Sequence, residues 1–484
     1  MKKLFFFICL CIIMFASFTT SALARNMTIL VYPFENTGSK EYSWISAGMT
    51  KAIITDLTGI EQLSVISDAD RKKIIEETKF SLSSLVEKKA MLKVGKLTGA
   101  NIIFTGSYVI TGNEIRINTR VINVKTGKIE RSGKLNAALN TFLDLQNRVV
   151  LTLLTDAGKV KLPRIAPVRI ATSEKRKILK KPKPKLTAYK LYAKGLQIKD
   201  ANPKEALAYF NKSLDIDPTY TDALMETGFT AGYTLNLFNE AFAYLDKAAK
   251  IFKDRHETES SGYAGLMVNM GAVYAKKGQP DRTLEYYLNS QSIRDRLGLQ
   301  NTASYASLMV NIGDVYAKKN QPDRTLEYYL KSQSIRDRLG LQNTASYASL
   351  MNNIGTVYWG KGQPDRALKY YLNSQSIRDR IGVQNTAGYA SLLNNIGAVY
   401  AEKGQFDRAL EYFLKDKTIE DRLGLQNTTG YASLMNNLAL LYEKQGNRDM
   451  AGRYYRIAYD TYVTSNYSGE SRDKALKNAR RLGY

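Results

Sequence analysis

The side chains that most often carry out catalysis or bind metal ions are scarce in this sequence. His256 is the only histidine among 484 residues, and Cys9 and Cys11 lie together in an apolar amino-terminal stretch. Zinc sites and Cys–His pairs need more such side chains than these. Residues 95–99 lack the spacing of a phosphate-binding loop, and no Gly-x-Ser-x-Gly turn occurs. We therefore expect no enzyme, no metal site and no cofactor.

Charged and amide side chains are abundant instead, and they recur at a fixed spacing. Arg-Asp-Arg occurs at residues 294–296, 336–338 and 378–380, where we expect the solvated, salt-bridged face of a helix. Asparagine pairs occur at 352–353, 394–395 and 436–437. An amide can both donate and accept hydrogen bonds, so it matches the peptide group of a partner chain.

The repeat period is 42 residues, and the repeated segment extends from about Tyr263 to Ala458. Residues 305–316 return with few changes at 347–358 and 389–400, and weaker copies begin at Tyr263 and Tyr431. A fixed period of this length indicates stacked supersecondary units, none of which can bury its apolar face alone.

Each unit divides into two helices. Residues 349–359 place Leu350, Ile354 and Tyr358 on one face of a first helix, and the Gly/Pro segment 360–364 ends it. A second helix is predicted from about Asp365 to Gly382, and Thr386 can cap the next first helix. By the same alignment His256 corresponds to Leu297, which predicts an ordinary surface or partly buried position at the end of a second helix.

The spacing of small and aromatic residues resembles that of the tetratricopeptide repeat family. Thr325, Ala367, Ala409 and Ala451 lie twelve positions after Gly313, Gly355, Gly397 and Ala439, and an aromatic ring follows four positions later. The usual unit has 34 residues, and the longer second helix here is similar to the 42-residue repeats of kinesin light chains. A shorter repeat starts at Leu186. We predict about seven units over residues 186–466 and a capping helix within 467–484.

The resemblance implies a concave groove lined by the first helices. Carried over position by position, its lining in the later units includes Ser349, Asn352, Thr356, Trp359, Ser391, Asn394, Ser433 and Asn436. The three asparagines would bond to an extended peptide backbone, and Trp359 would be an apolar anchor. The alternative is that these residues persist only because the units are recent duplicates. Asn311, Asn353, Asn395 and Asn437 are predicted to bond between neighbouring helices.

The amino-terminal part of the chain has a different pattern. Residues 1–24 carry a basic start, an apolar stretch and a small-x-small ending, which predicts a secretory signal peptide cleaved after Ala24. In residues 26–155, strands are predicted at 28–34, 63–66, 101–110, 114–124 and 129–135. Helices are predicted at 44–57, 68–78, 85–97 and 141–154. The result is an α/β domain ahead of an all-α solenoid.

Short motifs in this domain resemble the periplasmic TolB amino-terminal and CsgG-like group. They are residues 31–36, 44–49, 95–100 with 106–107, and 123–127. The resemblance implies a protein of the bacterial envelope that docks to other proteins without catalysis, so we expect a periplasmic or envelope-associated location.

Residues 156–185 form a basic, proline-containing segment. Eleven lysines and arginines stand against two acidic residues, within a chain of net charge +25. The segment is either a solvated, stiff spacer or a tether to an anionic surface. The tether residues would be Lys175, Arg176, Lys177, Lys180, Lys181, Lys183 and Lys185.

The sequence thus predicts a scaffold that holds a protein or peptide segment in its groove while the α/β domain docks to an envelope assembly. The alternative is charge-driven binding to an anionic polymer or surface, such as lipid headgroups or cell wall. Nucleic acid is a less favoured partner because the predicted signal peptide indicates export.

Overall fold

The computed structural model describes residues 27–58, 60, 63–68, 71, 74, 88–155 and 182–484. A small α/β region comes first and a long helical array follows, which confirms the predicted fold class. The strands are β1 (Met27–Val31), β2 (Glu35–Asn36), β3 (Leu63–Val65), β4 (Ile102–Thr111), β5 (Glu114–Asn123) and β6 (Ile129–Ala138). The helices of this region are α1 (Trp44–Thr58), α2 (Lys88–Leu97) and α3 (Phe142–Thr155). The predicted signal peptide lies outside the described residues.

The strands form one mixed sheet in the order β3-β1-β4-β5-β6, with β2 beside β4. β1 runs parallel to β3 and β4, whereas β4, β5 and β6 form an antiparallel meander. The two-residue turn Gly112-Asn113 joins β4 to β5, and Gly112 has a φ of 59°. This left-handed conformation is one that glycine adopts without steric cost.

Helices pack on both faces of the sheet, although Arg116 and Arg120 of β5 stay exposed. On one face Phe104, Ile115 and Ile117 pack with α1 and α3. On the other, Ile103 and Ile122 pack with Val94 and Leu97 of α2. Because successive residues of a strand point to opposite faces, one strand can serve both cores.

The helical array consists of seven helix pairs and one final helix within residues 186–481. The pairs are α4 (Leu186–Ile198) with α5 (Pro203–Ile216), α6 (Thr221–Phe229) with α7 (Phe238–Asp254), α8 (Ser261–Lys276) with α9 (Pro280–Arg296), α10 (Ala303–Lys318) with α11 (Pro322–Arg338), α12 (Ala345–Gly360) with α13 (Pro364–Ile381), α14 (Ala387–Glu402) with α15 (Phe406–Leu423), and α16 (Thr429–Lys444) with α17 (Arg448–Thr464). The final helix is α18 (Glu470–Arg481), whose Ala475 and Ala479 are fully buried.

Capping residues at matching positions fix the ends of the helices in several of the units. Thr344 and Thr386 accept the backbone N–H of Tyr347 and Tyr389 at 3.1 and 3.2 Å, which caps α12 and α14. Pro364 opens α13, where its missing N–H costs no hydrogen bond, and Gly382 closes that helix with a φ of 73°. His256 takes this left-handed position after α7, with a φ of 54°. It therefore corresponds to Gly298 of the next unit, and the predicted match to Leu297 is wrong by one residue.

The two helices of a pair approach closely because a glycine faces a ring. A Cβ built on Gly313, Gly355 or Gly397 would come within 2.6, 2.7 or 2.6 Å of the ring of Tyr329, Tyr371 or Phe413. The small residues at 325, 367, 409 and 451 are also fully buried. The spacing noted in the sequence thus places a flat ring against bare backbone.

The α/β region packs against the array rather than standing apart from it. Near the start of the array, the ring of Trp44 in α1 meets Tyr189 of α4 edge to face at 6.1 Å. Farther along, the backbone N–H of Ala303 donates to Ser64 Oγ at 2.8 Å, and Ala345 and Val383 join the core around α2. The α/β region therefore lies along the side of the array formed by the loops between repeats.

Lys183 makes an ion pair with Asp144 of α3, so residues 182–185 do not hold the two regions apart. Residues 156–181 of the basic segment lie outside the described residues. In the part of the chain that is described, no helix has both the length and the apolar character needed to cross a membrane.

Candidate peptide-binding wall

The exposed side of the first helices α12, α14 and α16 forms the surface on which the groove was predicted, and we call it the inner wall. Successive first helices are joined directly there. Asn395 Nδ2 donates to Asn352 Oδ1 at 3.1 Å, and Asn437 Nδ2 donates to Asn394 Oδ1 at 2.8 Å. These bonds connect α12 to α14 and α14 to α16, so the wall is continuous over three repeats.

The asparagine ladder changes what the wall can offer. The asparagines were expected to donate hydrogen bonds to a bound peptide and to accept them from it, and the amide oxygens of Asn352 and Asn394 each accept one bond from the next repeat. Their Nδ2 groups enter no hydrogen bond within the described residues, and both side chains are half-buried. The wall therefore presents amide donors, which match the carbonyl oxygens of an extended chain.

Trp359, the predicted aromatic anchor, also forms a hydrogen bond within the protein. Trp359 is half-buried, and its indole Nε1 donates to Glu402 Oε2 of the next repeat at 2.6 Å. This bond fixes the ring orientation and leaves only its apolar surface for a ligand. Two repeats farther on, Leu440 is 42% exposed on α16, so the wall carries apolar surface near both ends.

Three of the four hydroxyl groups on the wall form hydrogen bonds with other side chains of the protein. Ser349 accepts from Arg378 Nη2 at 3.1 Å, and Thr356 bonds to the hydroxyl of Tyr371 at 3.1 Å. Ser433 bonds to the hydroxyl of Tyr462 at 3.2 Å. Ser391 is exposed and Asn436 is half-buried. Of these four hydroxyl groups, only that of Ser391 enters no hydrogen bond within the described residues, so it is open to a partner.

The Arg-Asp-Arg segments do not form the solvated face that the sequence predicted. The first arginine of each is buried, and Arg336 donates from Nη2 to Ser307 at 3.3 Å and from Nη1 to Ser346 at 2.7 Å. These serines lie on the first helices of the same and the next repeat. The aspartate accepts from a tyrosine of the next repeat, as in the 2.7 Å bond from Tyr347 to Asp337. The segment therefore joins repeats, while its second arginine faces solvent in each copy.

One repeat replaces this arrangement with two acids, which the sequence analysis missed. Ser374 donates to the carbonyl of Ala348 at 2.7 Å, and Arg378 follows it one turn later. Asp416 and Glu420 stand at these positions in α15, 1% and 4% exposed, and each has a carboxyl oxygen with no hydrogen-bond partner. Burial raises the pKa of Asp416 to about 9 and that of Glu420 to about 7. Comparison of residues 42 apart would have found the exchange.

The proposed tether is only partly within the structure. Lys183 is paired with Asp144, and Lys185 precedes the first residue of α4. Lys175, Arg176, Lys177, Lys180 and Lys181 lie outside the described residues. Within those that are described, no group of three or more His, Cys, Asp or Glu side chains is arranged to hold a metal ion.

Family models described as tetratricopeptide repeat match residues 346–415 and 434–465, so the chain contains tetratricopeptide repeats. These matches lie in the array, and the resemblance of residues 26–155 to the TolB and CsgG-like group stays a prediction.

The chain is similar to a Rhizobium meliloti (strain 1021) protein named "Putative adenylate cyclase 3", with 28% identity over 201 residues. The match covers 40% of this chain and 31% of that protein, so the chain spans about a third of the length of its curated relative. Among solved structures, BtubC (BKLC) from P. vanneervenii is 20% identical, with a TM-score of 0.42 over 47% of this chain and 92% of that one. The repeats of a "putative kinesin light chain" from Podosopora anserina are 15% identical, with a TM-score of 0.37 over 43% and 97%.

Proposed function

We propose that this protein is a non-enzymatic scaffold whose inner wall binds an extended segment of another protein. The observation that carries the proposal is the asparagine ladder. In it the amide oxygens of Asn352 and Asn394 accept bonds from the next repeat, while their N–H groups enter no hydrogen bond within the described residues and would be open to a ligand. Tetratricopeptide repeats typically serve protein–protein interaction, which agrees with this use.

The bound segment would run across the first helices in an extended conformation. Its backbone carbonyl groups would accept hydrogen bonds from Asn352 and Asn394, and its apolar side chains would contact the exposed surfaces of Trp359 and Leu440. Because Trp359 is already held by Glu402, little conformational entropy is lost when a ligand packs against it.

We also propose that the scaffold works outside the cytoplasm, with the α/β region docking to an envelope assembly. The support is the signal-peptide pattern of residues 1–24 and the TolB and CsgG-like motifs of residues 26–155. The β3 edge and the α2 face are occupied by the array, whereas β6 is the other edge strand of the sheet. An envelope partner would therefore meet the region on the β6 side.

Position-specific photo-cross-linking tests the wall in cells that make the protein. A benzophenone amino acid is placed at Ser391, exposed on α14, or at Lys369, exposed on the second helix α13. We expect one dominant protein adduct from position 391 and little or none from position 369, because only the first carries the probe on the inner wall.

Equal adducts from both positions would contradict binding at the wall. A salt series separates the charge-driven alternative, since hydrogen bonds and apolar contacts respond modestly to salt. Capture that falls steeply with rising salt concentration would instead favour an anionic polymer as the partner.

A further inference from the structure

The two edges of the sheet differ in what lies beside them. At the β3 edge the array contributes a hydrogen bond, from the backbone N–H of Ala303 to Ser64 Oγ. At the opposite edge the described residues include no strand beyond β6, and every residue of β6 is exposed or half-buried. An edge strand directs alternate backbone N–H and C=O groups away from its neighbour, so β6 can pair with a further strand.

On one face of the sheet, an apolar row ends at β6 before it is fully covered. The buried side chains of Ile115 and Ile117 in β5 lie directly opposite Ala137 and Leu135 of β6. Ala137 and Leu135 pack against the core formed with α1 and α3, yet both stay half-buried. An added strand that placed apolar side chains beside them would bury the remaining surface, which is favourable.

On the other face of the sheet, the same edge is basic. Arg116 and Arg120 of β5 lie opposite Asn136 and Ser132 of β6, and Lys134 lies between these two. All three cations are exposed, and none of them forms an ion pair or a side-chain hydrogen bond within the described residues. Because side chains two residues apart share a face, the three positive charges lie together on one side of the edge.

Nearby acids do not balance these charges. Glu114 lies at the far end of β5, and Glu130 lies at the irregular pairing near the start of β6. Lysines of the array, by contrast, are paired across repeats, as Lys361 is with Asp323. The unpaired positive charge beside β6 therefore favours an acidic partner.

We propose that β6 accepts an extended segment of a partner protein as a further strand, and that this segment alternates acidic with apolar residues. Its acidic side chains lie on the face of Arg116, Arg120 and Lys134, and its apolar side chains continue the row of Leu135 and Ala137. Backbone hydrogen bonds supply affinity, and the alternating side chains supply specificity. The added strand would be the part of the envelope partner that docks to the α/β region, so the proposal rests on the proposed function.

Fluorescence anisotropy of labelled heptapeptides titrated with the full chain tests the alternation and the charge. The probe is Glu-Val-Glu-Val-Glu-Val-Glu. One control is its isomer Glu-Glu-Val-Val-Val-Glu-Glu, which cannot place its acids on one face of a strand, and the other is Lys-Val-Lys-Val-Lys-Val-Lys. We expect the probe to bind with a Kd of about 100 μM or lower and both controls to bind about tenfold more weakly or worse. No binding of the probe, or equal binding of either control, would overturn the proposal.

Methylation of the peptide backbone tests whether the probe joins the sheet. In a strand, the N–H groups of alternate residues face the same neighbour, so methylation of either the three valine nitrogens or the glutamate nitrogens removes the donors that point to β6. We expect one methylated peptide to bind about tenfold more weakly than the other. Equal affinities of the two would contradict addition of a strand.

A charge reversal locates the binding site on the protein. Lys134→Glu reverses the central charge of the basic face and is expected to weaken binding of the probe about tenfold. Lys369→Glu makes the same change of charge at an exposed position of α13 and should leave binding unchanged. Because both positions are exposed, both variants should fold. Unchanged binding by Lys134→Glu would place the probe elsewhere and rule out the β6 edge.

A benzophenone amino acid at Ser132, exposed on β6, separates failure of the acidic strand from failure of the docking on which it rests. A protein adduct from position 132 in cells, together with no binding of the probe, would leave the docking standing and overturn the acidic strand. We expect both the adduct and binding of the probe. No adduct from position 132 would contradict docking on the β6 side itself, and the added strand with it.

Discussion

At the scale of single residues, buried polar side chains determine how the repeats are joined. Arg336 contacts serines on two first helices, and the asparagine ladder connects three of them. The prediction that Asn395 and Asn437 bond between helices agrees with the ladder. That Asn352 and Asn394 bond to a peptide stays a prediction, and the sequence could not show that their oxygens lie within reach of the next repeat.

The acids Asp416 and Glu420 should make stability depend on pH. Their pKa values in the folded chain, about 9 and about 7, lie above the ordinary range near 4. At pH values between the ordinary range and the two raised pKa values, the folded chain therefore binds more protons than the unfolded chain. Their contribution to stability is fully present below about pH 4 and is lost as pH rises through 7 and 9.

Asp416→Ser restores the residue found in the three preceding repeats and is expected to raise the free energy of unfolding at pH 8 by about 1–3 kcal/mol. The gain should shrink as pH falls and approach zero only below the ordinary aspartate pKa of about 4, where Asp416 is protonated in both states. Denaturant melts over this pH range measure it, and Asp407→Ser, at an exposed position of the same helix, is the control. A gain that does not change with pH would show that Asp416 is not the titrating group.

At the scale of elements, the helix pair depends on the contact between a glycine and a ring. A methyl group at Gly355 would come within 2.7 Å of Tyr371 and 3.2 Å of the carbonyl oxygen of Ala367. The last repeat has Ala439 at this position, where only α18 lies beyond the pair. Inside the array, neighbouring repeats on both sides restrict the movement that would make room.

Gly355→Ala is therefore expected to lower the free energy of unfolding by about 1–3 kcal/mol, as overpacking does. Gly360→Ala is the matched control, because nothing lies within 4 Å of a methyl group at that helical position. It should leave stability unchanged or raise it by up to about 1 kcal/mol, since alanine favours the helix. Equal losses in thermal or denaturant melts of the two variants would contradict the role of the ring contact.

Most elements could be predicted because their periodic patterns are local. The alternation of Ile115 and Ile117 with Arg116 gave β5, and the spacing of Leu350, Ile354 and Tyr358 gave α12. The π-helical turn at Thr230–Thr234 was not predicted, because that repeat departs from the common pattern. Local signals also do not distinguish a buried arginine from an exposed one, so the role of Arg-Asp-Arg was misjudged.

At the scale of the whole molecule, the α/β region and the array form one packed body. Leu341 and Val383 follow the glycine that ends a second helix and are buried, near α2 in both cases. An apolar residue after a helix-ending glycine is also common in ordinary helix caps. These two residues therefore could not reveal the contact with α2 from the sequence. Ser64 and Ala303 are 239 residues apart in the chain, and no sequence pattern links them.

In this arrangement, contacts with adjacent repeats hold the inner wall rigid. Repeat arrays keep their curvature through contacts between adjacent units, and here the α/β region adds contacts along one side. A ligand that meets a preformed wall loses less free energy on ordering the protein than one that must organise it. The central claim is that this wall binds its partner through the amide donors of Asn352 and Asn394.

The most direct test is the affinity of Asn352→Val with Asn394→Val for the protein that cross-links to position 391. Val268 and Val310 occupy the same positions in earlier repeats, so the double variant should fold, although it should melt at a lower temperature because it also loses the two ladder bonds. Loss of two hydrogen bonds of about 0.5–1.5 kcal/mol each predicts a Kd roughly tenfold higher or more. An unchanged Kd in the folded double variant would contradict binding through the amides of the inner wall.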